Sequence, residues 1–192
     1  MTRCGWLLWA LLLSGLGAGC PTEPVPDPPA PQPVHQYLAG TSQYTGPTGQ
    51  EAPAARVLIH RVLDPTDDTL LEDVHQQASA TTWDHYEVNG DIEPDTGAFT
   101  LAFFDGYGTF EGVGTLTAGA PWAWTAWESR SEYVDGPYVG SYVLSEDTLD
   151  DDGLRAVKQI FSPDDHAEGS VLELLEWTDA AAWQAEVDAI SD

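Results

Sequence analysis

An antiparallel meander of eight to ten strands, closing into a barrel and followed by one C-terminal helix, is the fold that this chain of 192 residues predicts. Three observations carry it. From Tyr37 to Trp177, runs rich in Val, Ile, Thr, Tyr, Phe and Trp alternate with polar residues at a period of two. Turn-forming clusters interrupt these runs about every ten residues, the spacing of consecutive hairpins. Thr178 to Ile190, by contrast, lacks Gly and Pro and is rich in Ala. There Trp183, Val187 and Ile190 fall at i, i+4 and i+7, one apolar face of a helix.

The strands are expected near 37–44, 55–63, 69–78, 81–88, 98–104, 109–117, 122–133, 138–144, 154–161 and 171–177. Their connections carry turn chemistry: Asp64-Pro65-Thr66-Asp67-Asp68, Asn89-Gly90-Asp91, Asp95-Thr96-Gly97, Asp105-Gly106, Asp135-Gly136-Pro137 and Asp150-Asp151-Asp152-Gly153. Thr178 or Asp179 can cap the helix, which is expected to lie against the sheet. Strands in simple sequence order leave two edges, and closure removes them. A two-sheet β-sandwich is the alternative arrangement of the same strands.

Ahead of this domain, at 37–192, the chain has two further parts. Residues 1–19 run from one basic residue, Arg3, through the apolar stretch Trp6 to Leu16, to the small residues Gly17-Ala18-Gly19. That order is the order of a secretory signal peptide, and the apolar stretch is well short of the about 20 residues that span a bilayer. Cys20 follows directly, and residues 20–36 form a tether: seven prolines stand in the fourteen positions 21–34. Such a run is semi-rigid, reaches up to about 40–50 Å and packs no core.

Small residues immediately before a cysteine resemble the signal of bacterial lipoproteins. The resemblance implies cleavage before Cys20, lipid (palmitate among it) on that cysteine, and attachment of the mature chain to a membrane of the cell envelope. Pro21 rather than Asp follows Cys20, which by the same resemblance implies the outer membrane over the inner. Cys4 leaves with the leader, so the mature chain keeps no thiol for a disulfide, a zinc site or a nucleophile. The barrel, its late helix and the opening Leu38-Ala39-Gly40-Thr41-Ser42 are similar to the calycin group, the lipocalin-like and fatty-acid-binding-like barrels. This second resemblance is one of architecture and covers about 37–190; it assigns no ligand residue.

Charge excludes one class of partner. The formal charge is −26, with 32 acidic residues against six basic ones. A field of that sign repels phosphate backbones and anionic headgroups, so no nucleic acid is bound. The acids are spread along the chain, which reads as a solvated surface. Abundant Trp, Tyr, Phe, Val and Leu set the domain apart from disordered acidic chains.

The densest aromatic cluster is Trp122-Ala123-Trp124-Thr125-Ala126-Trp127. On an unbroken strand Trp122, Trp124, Ala126, Glu128, Arg130 and Glu132 share one face, and Tyr138, Gly140 and Tyr142 share a face of the next strand. Two facing strips of this kind suit a small apolar or amphipathic ligand, with Trp122, Trp124, Tyr138 and Tyr142 as wall and Arg130 as polar contact. Ordinary barrel core is the plainer account of the same rings.

Other motifs carry less. His75 and His85 are expected on neighbouring strands, with Glu72, Asp73, Asp84 and Glu87 nearby, but no H-E-x-x-H and no Cys–His spacing accompanies them; no metal ligand is assigned. Thr148 to Gln159 fails as an EF-hand, because Gln159 stands where the bidentate Glu belongs. Asp164-Asp165-His166-Ala167-Glu168 reads as a solvated acidic turn. Gly106-Tyr107-Gly108 with Gly112 and Gly114 lacks the Lys-Ser/Thr of a phosphate loop and reads as bends of a barrel. No Gly-x-Ser-x-Gly is present. The sequence therefore predicts no enzyme, no catalytic residue and no cofactor. It predicts an envelope protein that binds a small ligand, or, as the alternative, a structural or protein-interaction module without one.

Overall fold

A computed structural model describes residues 30–120 and 122–191; Cys20, the leader and most of the proline-rich run lie outside the described residues. Ten strands follow one another: β1 (Val34–Thr45), β2 (Ala55–Asp64), β3 (Thr69–Gln77), β4 (Trp83–Glu93), β5 (Ala98–Phe104), β6 (Thr109–Ala120), β7 (Ala123–Tyr133), β8 (Tyr142–Asp150), β9 (Gly153–Phe161) and β10 (Ala167–Trp177). A helix, α1 (Ala180–Ser191), ends the chain. Each strand pairs antiparallel with its sequence neighbours, and β1 closes onto β10 through pairs from Leu38↔Trp177 to Thr45↔Ser170. The sheet is a closed barrel without edges, as expected, and the sandwich arrangement is set aside.

Alternation decides which side chains enter. On β2 the inward series is Val57, Ile59, Arg61 and Leu63; on β3 it is Leu70, Glu72, Val74 and Gln76. Where inward residues are all apolar they form a plug of Leu38, Leu63, Leu70, Ile92, Leu149 and Leu175. This plug fills the barrel end at which β1 begins. Outward positions carry Glu87, Asp91, Glu111, Glu128, Glu146 and Glu176, all exposed, a face for water rather than for acyl chains. Among the described residues no helix is long and apolar enough to cross a membrane.

α1 lies outside the barrel. Asp179 caps it, its Oδ1 accepting the Ala182 N–H at 2.8 Å. Trp183, Val187 and Ile190 seat the helix on Tyr37, Ala39, Leu58 and Trp83 of the outer sheet face. Arg56 on β2 clamps it further with a bidentate bond to Glu186 at 2.8 and 2.9 Å.

Asn89-Gly90-Asp91, expected as a turn, lies within β4, and Val34 to Gln36, expected in the tether, already belong to β1; beyond these shifts of strand ends, two local features differ from the sequence reading. Residues 138–141 are turn, not strand: Gly136 and Gly140 adopt φ of 80° and 84°, and β8 starts only at Tyr142. β8 then runs on to Asp150, so Asp147 belongs to a strand and faces the interior. The second feature is a pair of bulges between β6 and β7. The register shifts between Leu116 and Ala118 and again between Ala118 and Gly119, which pair with Trp127, Ala126 and Trp124 in turn. Each bulge inserts an unpaired residue and reverses the alternation of the strand that carries it.

Candidate functional site

Above the apolar plug the interior widens into a cavity of about 390 Å³. It opens at the end bearing the β3–β4, β5–β6 and β7–β8 connections, with Ala78, Asp105 and Tyr107 on its rim. The volume is in the range of small-molecule sites. Its apolar wall is built by Phe99, Phe103, Phe110, Trp124 and Trp127 with Val57, Ile59 and Val88. The rings pack on one another: Phe99 lies 4.8 Å from Trp124, Trp124 5.4 Å from Trp127, and Phe103 4.8 Å from Phe110, centroid to centroid. Gly114 makes room for this wall, since a Cβ there would lie 2.1 Å from Cζ of Phe99.

A polar layer runs through the same space. Arg61, only 4% exposed, donates from Nε to Glu72 on the paired position of β3 at 2.5 Å, and its guanidinium lies 4.7 Å from the centre of the Trp127 ring. Its Nη1 reaches Gln36 Oε1 at 3.4 Å. Lys158 Nζ meets Glu173 Oε1 at 2.8 Å. Ser145 Oγ donates to both carboxylate oxygens of Asp147, at 2.9 and 3.0 Å. Tyr86 completes the layer, its hydroxyl pushed well above the usual tyrosine range by burial.

The electrostatics of this layer are unequal. Desolvation draws the Lys158 ammonium down, but Glu173, Tyr86 and Asp147 together outweigh it and hold it above the ordinary lysine value. Among the described residues Asp147 has no ion-pair partner of its own. Burial pushes its carboxyl up to about 6, against the pull of Lys158, the Ser145 bond and Arg61. Two cations thus face three acids in the layer, and Asp84 and Asp105 add two more toward the mouth. The cavity favours neutral or cationic groups over anions.

The sequence-derived candidates divide. Trp124 lines the cavity and is 2% exposed; Trp122 packs against the core beneath it. Arg130, expected as the polar contact, points outward, because the bulge at Thr125 reverses β7: Trp127, Ser129, Ser131 and Tyr133 face in after it. Arg130 instead covers the Tyr142 ring at 3.7 Å on the outer surface. Tyr142 is also outside, stacked on Phe161 at 4.8 Å and donating to Asp165 Oδ1 at 2.9 Å. Tyr138 sits in the turn at the mouth, 5.6 Å from Tyr133 and 6.1 Å from Tyr107, and half exposed. The two strips do not face each other across a pocket.

The residues missed were Arg61, Glu72, Asp147, Lys158 and Glu173. A signal for four of them was present. Each interrupts an apolar series of one parity: Val57-Ile59-Arg61-Leu63, Leu70-Glu72-Val74, Leu154-Ala156-Lys158-Ile160 and Val171-Glu173-Leu175. A charge on the core parity of a strand is costly unless something inside answers it.

No protein-family profile matches the chain, and no curated protein and no solved structure is significantly similar to it.

Proposed function

We propose that the chain is a lipid-anchored bacterial envelope protein whose barrel holds one small amphipathic molecule, apolar part on the ring wall and neutral or cationic end in the polar layer. The observation that carries the binding reading is the cavity itself: about 390 Å³, open at one end only, with an aromatic wall and a buried ionic layer. A scaffold barrel of this girth has no need to line its interior with Arg61, Lys158 and three acids, since drawing charge out of water costs free energy that apolar packing does not. Anchoring rests on the Cys20 pattern and the proline-rich tether. It agrees with the placement of the mouth at the barrel end opposite the start of β1, so that a tethered domain presents its opening away from the attachment point.

The test is native mass spectrometry of the lipidated chain extracted from its own host in mild detergent. The expected result is a retained small molecule that disappears in Val143→Trp, which puts an indole into the cavity wall. Titration with an alkylamine and with the fatty acid of equal length should show Trp emission responding to the amine first, because the interior has surplus acid. A wild-type barrel that carries nothing and responds to neither probe is the outcome expected of a structural module that meets a protein partner, and it would end the binding proposal. Palmitate labelling that persists in Cys20→Ser would end the anchoring proposal separately.

A further inference from the structure

Outside the barrel, the outward residues of β3 and β4 form a square. Register pairs His75 with His85 and Asp73 with Glu87, so two imidazoles and two carboxylates occupy four adjoining positions on one face. In this square Asp73 Oδ1 lies 3.3 Å from His75 Nε2 and 2.8 Å from His85 Nε2. The ligand atoms of Asp73, His75 and His85 all lie within 4.8 Å of one another. We propose that Asp73, His75 and His85 form a surface site for a divalent first-row transition ion, zinc above all, with water or Glu87 in the fourth position. The site is independent of whatever the barrel holds.

The chemistry fits such an ion. Imidazole with carboxylate suits zinc and its neighbours and offers too little oxygen for calcium or magnesium. Zinc binds nitrogen and oxygen at about 2.0–2.2 Å, so tetrahedral ligand atoms stand about 3.4 Å apart. The Asp73–His75 separation is already close to that, and the Asp73–His85 separation has to open by about 0.6 Å from its present 2.8 Å. His85 is exposed; His75 is held, stacked on His85 at 4.5 Å and edge-on to Trp183 at 5.8 Å. Burial lowers the proton affinity of His75, with Asp73 opposing and His85 assisting. β3 and β4 contain no Lys or Arg to compete for the acids. In the next pair across the sheet His60 faces Asp73, which makes the site one end of a longer imidazole array with His35, 3.1 Å from His60.

Calorimetric titration of the full-length chain with zinc chloride tests this. One ion per chain is expected to bind, His85→Gln to weaken it by about tenfold or more, and His166→Gln, on a distant turn, to leave it unchanged. Zinc should raise the melting temperature of the wild type and of His166→Gln and not that of His85→Gln. The metal-free melting temperatures of all three should coincide, because His85 is a surface residue. Absence of stoichiometric binding overturns the proposal. So does binding that survives in His85→Gln, which would place the ion on dispersed acids instead.

Discussion

Asp147→Asn separates the cost of the buried acid layer from everything else in this acidic chain. The carboxyl, 8% exposed, is displaced from 3.8 to about 6 chiefly by burial. A difference of about 2 pH units, at 1.36 kcal/mol per unit, makes ionisation inside the barrel costlier than in the unfolded chain by about 3 kcal/mol. The sign follows from proton counts. Between pH 3.8 and about 6 the folded chain holds a proton that the unfolded chain has released. Stability from this group therefore falls as pH rises through that window and stays low above it. Asn keeps the shape and the acceptor for Ser145 but never ionises. Urea unfolding of both proteins at pH 4 and pH 7.5 should show near-equal stability at the lower pH. At the higher pH Asn should be ahead by up to about 3 kcal/mol, a figure already net of the pull of Lys158, Ser145 and Arg61 on the carboxylate. Comparison of variant with wild type cancels the repulsion among the other acids. If the gap is the same at both pH values, or if Asn is the weaker protein at pH 7.5, then Lys158 and Arg61 compensate the carboxylate fully and the reasoning fails.

Two further outcomes follow from the interior. Arg61→Met strands Glu72 without its cation and should cost about 3–5 kcal/mol in a denaturant titration, whereas Arg61→Met combined with Glu72→Leu should recover most of that loss; failure of the second change to rescue the first would mean that Glu72 is not the group left unpaired. Gly40→Ala and Gly114→Ala should differ although each adds one methyl. At Gly40 the new Cβ would meet the backbone oxygen of Leu174 at 2.0 Å, and β1 must part from β10 to relieve it. At Gly114 it meets the Phe99 ring, which borders the cavity and can turn into it. Thermal unfolding should place Gly40→Ala at or beyond the upper end of the about 1–3 kcal/mol typical of overpacking, with Gly114→Ala well below it; equal losses would show that the Phe99 wall is as rigid as backbone.

How far the chain could be read by itself depends on the range of the interaction. The period of two, the turn clusters and the Ala-rich tail are local properties, and they were enough for a meander of eight to ten strands in sequence order and the capped helix with Trp183, Val187 and Ile190 facing the sheet. Simple order left a closed barrel and a two-sheet sandwich both open, and the pairing of β1 with β10, which satisfies both edges, decides for the barrel. The candidate site was a different matter. Trp124 was placed in the interior correctly, but Arg130 was assigned to its face by counting residues, and a bulge alters the count without a distinct sequence mark. Tyr138 was lost to a turn set by Gly136 and Gly140 at positive φ. Arg61, Lys158, Glu72 and Glu173 stood on core parity, yet which charge meets which depends on strand register around the barrel. The square of Asp73, His75, His85 and Glu87 likewise exists only once β3 and β4 are aligned. Alternation along one strand fixes a side chain's face because that is a property of a single backbone; distances between faces come from pairing and shear across the whole sheet, and those were decided by the tertiary structure.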